Sequence, residues 1–335
     1  MKPTVTLTQV ARAAGVSAST VSRILNGSAN VSAEKREAVE RTLARLNYRP
    51  NVLARGLASG RTMSIGVLTQ DISSPFYGEA LRGIEQGLKG SSYLPLFMSG
   101  HWHAEEETEA IDLLLARKVD ALLILGSVMP DEQLREVACR VPLVALGRFL
   151  PELAGQCLRV DNRQGAYLAT RHLIEMGHRS IAHIAGLASH RDAQDRLSGY
   201  RAALEEAGIG FDPGLVLEGD FLEHSGFLAT TRLVEGRQLF TAIFAANDQM
   251  AYGARLALHR KGLRVPEDIS LVGFDDLAGS MYTSPPLTTV RQPIHDMGFA
   301  ATQCVLRMLA GQAPSLPPFQ VELIIRESTA RRRTS

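Results

Sequence analysis

Residues 7–27 read LTQVARAAGVSASTVSRILNG. Leu7, Val10, Ala11 and Ala14 recur at i, i+3, i+4 and i+7, the spacing of one helical face. Thr6 is placed to cap this helix and Gly15 to end it. Ser17 is placed to cap a second short helix, ASTVSRILN, which stops at Asn26-Gly27. Its apolar face is Val21, Ile24 and Leu25; its other face carries Ala18, Ser19, Ser22, Arg23 and Asn26. Two short helices joined by a tight Gly15-Val16-Ser17 turn make the helix-turn-helix pattern. Ser32 is placed to cap a third helix, from Ala33 to about Asn47, with Val39, Leu43 and Leu46 facing inward.

Charge separates this head from the rest of the chain. Residues 1–61 hold ten Lys and Arg against three Asp and Glu, a net of +7, whereas the remainder is net −6. A basic head on a mildly acidic body points to a polyanionic partner for the head. No run of about 18 apolar residues exists, so no membrane span and no membrane partner are expected. The start of the chain lacks a signal-peptide pattern. The cysteines, Cys139, Cys157 and Cys304, are far apart and form no CxxC, which suits a reducing compartment. Together these features predict a cytoplasmic, nucleoid-associated protein.

After the head, YRPNVLARGLASGRT (48–62) reads as a linker. Pro50 blocks continuation of the third helix. Asn51 is placed to cap a short helix, VLARGLA, which is marginal alone in water and is weakened at Gly56 by about 1 kcal/mol relative to Ala. From residue 63 the pattern changes. Apolar runs SIGVLT (64–69), LPLFMS (94–99), ALLILG (121–126), LVALG (143–147), SIAHIAG (180–186), AIFAAN (242–247) and ISLVGF (269–274) alternate with amphipathic stretches. Such alternation predicts buried parallel sheets with helices on both faces. The length fits two lobes with a ligand crevice at the strand C-terminal ends. The expected architecture is a small all-α helix-turn-helix head plus an α/β core of two doubly wound parallel-sheet lobes. The expected boundaries are head 1–50, hinge 51–61 and core 62–335, with a first lobe of about 62–161 plus 293–320 and a second of about 162–292 plus 321–330.

The stretch from TLTQVARAAGVSASTVSRILNG through YRPNVLARGLASGRTMSIGV resembles the DNA-binding head and hinge of the LacI/GalR family of bacterial transcription regulators. The resemblance continues through SPFYGE, VDNRQGAYLATRHLIEMGHRSIAHIAG, DRLSGYRAAL, FAANDQMAYGA, VPEDISLVGFDD and PPLTTVRQP, covering about residues 5–328. It implies a homodimeric repressor of double-stranded operator DNA, with a periplasmic-binding-protein-like core that senses a small sugar. Base contacts are implied at positions matching Ala18, Ser19 and Arg23. Arg23 is suited to grip a guanine edge, worth about 1–3 kcal/mol of discrimination. Thr6, Ser17, Thr20, Ser22 and Asn26 suit phosphates, which position without specifying sequence. In the family the hinges fold on DNA, and a leucine matching Leu57 wedges into the central step; Asn51 and Ala54 belong to the same hinge surface. Gly56 departs from the larger residues usual there and predicts a hinge harder to order.

In the core, SHRDAQDR offers His190, Asp192 and Arg196, an H-x-D-x-x-x-R spacing similar to that of periplasmic glucose/galactose-binding proteins. Asn247 and Asp275 end apolar strands, where crevice ligands sit. Phe221, with Phe76 or Tyr77, is placed to sandwich a sugar ring. Arg148 and Asp161 match further family pocket positions, and Gln292 marks a lobe crossover. Leu125-Gly126 stands where the periplasmic hexose binders offer a polar side chain. His101-Trp102-His103 reads as a loop at the rim at most, because two alternating histidines need more ligands to hold a metal. No metal and no cofactor are expected. Nothing resembles a nucleophile elbow, P-loop or dinucleotide fingerprint, so no enzyme is expected.

The reading is a dimeric repressor released from a pseudo-palindromic operator by a hexose such as galactose or glucose, or a derivative. No leucine heptads follow the last strand, so no helical tetramer tail is expected. Two alternatives stay open: the same fold with a purine-type or sugar-phosphate corepressor, and a sugar-binding protein without a regulatory role.

Overall fold

Small apolar residues decide the head. Helix α1 (Leu7–Ala13), α2 (Ala18–Leu25) and α3 (Ala33–Arg45) meet around Val10, Ala11, Val21, Ile24 and Val39, all buried. Thr6 closes a capping box, its hydroxyl accepting from Gln9 N–H while its own N–H donates to Gln9 Oε1. Gly15 turns the chain with φ +66°, a left-handed conformation that suits glycine. Ser17 Oγ accepts the Thr20 N–H at 3.1 Å, as the expected cap of α2. The third helix differs from expectation at both ends. Ser32 makes no side-chain cap bond; only its carbonyl engages the helix, through Arg36 N–H. The helix stops at Arg45, because Asn47 turns left-handed and Tyr48 N–H bonds back to the Leu43 carbonyl.

The computed structural model describes residues 5–25, 31–48, 61–236 and 239–332. Asn26, Asn51, Ala54, Gly56 and Leu57, and with them the expected hinge helix, lie outside the described residues. The chain divides into two compact units, 1–63 and 64–335.

The second unit carries two sheets. In the first, β1 (Ser64–Thr69), β2 (Leu94–Ser99), β3 (Ala121–Leu125), β4 (Leu143–Leu146) and β5 (Cys157–Leu158) run parallel in the order β2-β1-β3-β4-β5. In the second, β6 (Ile181–Ala185), β7 (Val216–Glu218), β8 (Ala242–Ala245), β9 (Ser270–Asp275), β10 (Thr288–Arg291) and β11 (Glu322–Ile324) take the order β11-β10-β9-β8-β6-β7, with β11 antiparallel. Both are doubly wound, and each reverses winding direction at one point: between β1 and β3, and between β6 and β8. Ligands of such sheets sit outside the strand C-termini at that switch. SIGVLT and LPLFMS match strands residue for residue; of the other runs, four lose one or two residues at their ends, and ISLVGF shifts by one to Ser270–Asp275. β5, β7, β10 and β11, of two to four residues each, were not expected.

Helices cover the sheets: α4 (Pro75–Leu88), α5 (Ala104–Ala116) and α6 (Asp131–Arg140) on the first, and α7 (Asn162–Glu175), α8 (Arg191–Glu206), α9 (Glu223–Glu235) and α10 (Asp248–Arg260) on the second. Helix α11 (Ile294–Leu309) follows β10 yet packs Ile294, Met297, Ala301 and Val305 into the first-sheet core beside Val67 and Leu123. Three helix pairs touch backbone to backbone. A Cβ on Gly253 would lie 1.8 Å from the Glu223 carbonyl oxygen, one on Gly199 2.0 Å from that of Arg163, and one on Gly83 2.0 Å from that of His295. No described helix is long and apolar enough to cross a membrane.

Candidate functional site

On the head, the outer face of α2 is open to solvent. Val21 and Ile24 point inward, which turns Ala18, Ser19 and Arg23 out to solvent and leaves Ser22 half-buried. Ser17 Oγ lies 2.8 Å from both Ser19 Oγ and Thr20 Oγ1, so three hydroxyls gather at the start of α2. A helix N-terminus with clustered hydroxyls and a basic residue one turn on is suited to phosphate oxygens and base edges. Thr6, already in its capping box, is exposed at the start of α1.

The second site lies between the lobes, where both switch points meet. Helix α8 begins at its N-cap His190, so Asp192 and Arg196, four residues apart, share a face. Arg196 is 4% exposed. Its Nε donates to Asn162 Oδ1 at 2.9 Å, one terminal nitrogen donates to the Ala246 carbonyl at 2.5 Å, and the other lies 3.9 Å from Asp275 Oδ1. The guanidinium also covers the Phe274 ring, 3.9 Å from its centroid. Asn162 Nδ2 in turn donates to Asp192 at 3.0 Å, and Gln292 Nε2 to Asp275 at 2.7 Å. Asn247 caps α10 through Met250 N–H and donates to the Phe221 carbonyl. Buried polar groups linked in this way are held in place before any ligand arrives.

Burial sets the electrostatics. Loss of solvent pushes Asp275 up to about 6, against the lowering pull of Arg196 and Gln292. Asp192 is raised by the same cause. Tyr77, from the first lobe, is raised well above its usual range by burial and then by Asp192, Asp275 and Glu107. Tyr77 is thus near enough to feel the second-lobe carboxylates from across the crevice. Phe76 packs edge-on to Tyr77 at 5.3 Å. His190, 7% exposed, has its pKa lowered by burial. Backbone strain collects at this site: His101, Trp102, Phe221, Asp275 and Asp276 all have left-handed φ, a conformation that costs about 1–3 kcal/mol per residue and concentrates where ligands bind.

The expected residues are not all brought together. His190, Asp192, Arg196, Phe221, Asn247, Asp275, Gln292 and Tyr77 converge. Arg148 is engaged by Asp131 and by the Ser127 carbonyl within the first lobe. Asp161 is exposed and caps α7 through Gln164 N–H at 2.8 Å. The ring facing Phe221 is His190, at 5.8 Å and 14°. The first-lobe member of that stack is Trp102, 4.3 Å from His190, rather than Phe76 or Tyr77. Sequence reading had placed Trp102 at the rim. It also passed over Asn162, which links Asp192 to Arg196, and Gln70, which pins the Trp102 loop; no local spacing signals either one.

Known proteins resemble both parts of the chain. Residues 6–51 match the family described as bacterial regulatory proteins, lacI family, and residues 170–329 match a periplasmic binding protein-like domain. The HTH-type transcriptional regulator GalR of Escherichia coli (strain K12) is 40% identical over 304 residues, 90% of this chain and 89% of that one. The crystal structure of the lac repressor dimer bound to operator and the anti-inducer ONPF is 33% identical, with a TM-score of 0.86 over 98% of this chain and 100% of that one. A CelR–cellobiose complex, also a transcriptional regulator, is 34% identical, with a TM-score of 0.72 over 97% of this chain and 99% of its own. The chain therefore belongs to the lacI family of bacterial regulatory proteins, as a DNA-binding transcriptional regulator of the sugar-responsive type.

Proposed function

We propose that this protein is a homodimeric repressor whose operator affinity is lowered by a small uncharged sugar bound between the core lobes. The observation that carries the reading is the buried Arg196–Asn162–Asp192–Asp275 network. It offers carboxylate acceptors and amide donors side by side, the pattern that neighbouring sugar hydroxyls require. Its charge favours a neutral ligand. Asp192 and Asp275 outnumber Arg196, and Glu107 is close enough to add to their effect on Tyr77. A phosphorylated or carboxylated ligand meets that negative field at a cost; a neutral sugar does not.

The head reads DNA through the exposed face of α2. Arg23 reads a base edge, while Ala18 and Ser19 leave room or accept either base type. The lac repressor dimer on its operator supports both the partner and the assembly. A dimer is also supported by exposed apolar side chains on both lobes, among them Leu94, Leu113, Leu256, Met281 and Tyr282. The cellobiose bound by CelR supports a sugar as the effector class.

Operator binding measured with and without neutral sugars and sugar phosphates tests this reading. A neutral sugar is expected to weaken operator binding by a coupling of about 1–3 kcal/mol. Tightening by the ligand would reverse the sign and make it a corepressor. Operator affinity is expected to fall steeply with salt, given the +7 head.

A further inference from the structure

The loop after β2 is built around one side chain. His101 and Trp102 take left-handed backbone, φ +50° and +60°, which bulky residues rarely adopt. Gln70, fully buried at the end of β1, holds them there. Its Oε1 accepts the Trp102 N–H at 2.7 Å, its carbonyl accepts the His101 N–H at 3.0 Å, and its Nε2 donates to the Gly126 carbonyl at 2.8 Å. These bonds deliver the indole onto Gly126, at the end of β3. A Cβ at Gly126 would lie 2.8 Å from Trp102 Cη2 and 3.4 Å from Tyr77 Oη. The indole edge and the Tyr77 hydroxyl therefore sit side by side on the crevice wall.

The other lobe answers this arrangement. Trp102 stacks on His190 at 4.3 Å, and His190 lies parallel to Phe221 at 5.8 Å. The Phe221 ring fills the place of a Cβ on Gly186, 2.1 Å from where it would stand. A row of rings thus runs from one switch point to the other, seated on a glycine at each end. Within it, His190 Nδ1 is buried and has no hydrogen-bond partner among the described residues.

We infer that Trp102 is a specificity-determining residue of this crevice: its indole limits the ligand to a single sugar ring. The inference rests on the sugar-effector reading above. The row spans the two lobes from Gly126 to Gly186 beside Tyr77, so a second ring of a longer ligand extending that way would meet the indole. An indole and a pyranose are of similar size, so removing one makes room for the other. The indole edge also offers an apolar surface to the C–H face of the ring that does bind, and His190 Nδ1 offers it a polar contact.

The chain has a single tryptophan, so its emission reports on this position alone. The test titrates wild type, Trp102→Ala and Trp102→Phe with neutral monosaccharides and their disaccharides by calorimetry, following emission in the wild type. Wild type is expected to bind a monosaccharide with a shift in emission, and to reject its disaccharides. Trp102→Ala is expected to weaken the monosaccharide by roughly tenfold while gaining a disaccharide. Trp102→Phe is expected to keep the wild-type preference at reduced affinity. Two results overturn the inference and leave the sugar reading standing: an Ala variant whose disaccharide-to-monosaccharide ratio equals that of wild type, or a wild type that binds both sizes alike. A wild type that binds no sugar at all overturns the sugar reading, and the inference with it. Thermal unfolding of each variant establishes that its core is folded.

Discussion

Two arginines, Arg23 in the head and Arg196 in the core, carry recognition in the proposed function, and they sit under opposite conditions. Arg23 is exposed on α2. Arg196 is buried on α8, bonded to Asn162 and Ala246 and facing Asp275. On the proposed reading the first is ordered by the partner it meets, and its exposure leaves the fold indifferent to it. The second is ordered by the protein and orders other groups in return, so the fold depends on it. One residue type thus stands on a surface open to water, where the proposal has it read a partner, and in a network that holds a fixed pattern of donors and acceptors away from it.

Substitution separates the two. Arg196→Ala leaves Asp275 and Asn162 buried without their partner, and is expected to lower stability by about 3–5 kcal/mol, the usual cost of removing one member of a buried charge pair. Thermal unfolding measures it; a variant as stable as wild type would mean that the network is not what holds the second lobe. Arg23→Ala is expected to leave unfolding within about 0.5 kcal/mol of wild type, yet to cost about 1–3 kcal/mol at the preferred base pair. Operator titration against single-base variants checks it, and an even loss across all sequences would reassign Arg23 to phosphate.

The crevice is also expected to respond to pH in a way the head face does not. Asp275 accepts sugar hydroxyls best as a carboxylate, and burial raises it to about 6. Sugar affinity should therefore hold above about 6 and fall as pH drops through that value, by up to about tenfold for each unit below it. Calorimetry from pH 5 to 8 follows this; a flat profile removes Asp275 from the binding set. The smallest effect belongs to the head. Ser17→Ala removes the α2 cap and is expected to cost about 1 kcal/mol of head stability, read from the head's own unfolding. Exchanging Ala18-Ser19 for Tyr-Gln should change the preferred half-site at little cost to the fold; an unchanged preference would show that other residues do the reading.

How far the sequence foretold these sites follows from the range over which each is built. The face of α2 is local: eight residues at helical spacing, with Ser17 before them, suffice to turn Arg23 outward. The long strands are local too, and SIGVLT and LPLFMS end where their apolar runs end. The short strands β5, β7 and β10 are too brief to show a period, and β11 gains its partner only when the chain returns from the other lobe. The crevice is intermediate. Asp192 and Arg196 are visible as an i, i+4 pair on one helix. Asn162, some thirty residues away, joins them only through the packing of α7 against α8. Trp102 was the hardest to place, because an unusual backbone set by Gln70 aims it, and no pattern of residue types announces a positive φ. Arg148 and Asp161 show the reverse: their side chains are taken up by nearer partners, Asp131 and the first turn of α7.

The glycines between the helix pairs bear on how variants of this regulator will be understood. At Gly253, Gly199 and Gly83 even a methyl group would drive two helices apart. A genetic screen for loss of regulation will therefore recover substitutions at these three places, whichever ligand or operator is under study. Such mutants will look like members of a binding site or a signalling route. They will instead be thermolabile and low in abundance, and partly rescued by cooler growth, which distinguishes failure of assembly from failure of recognition.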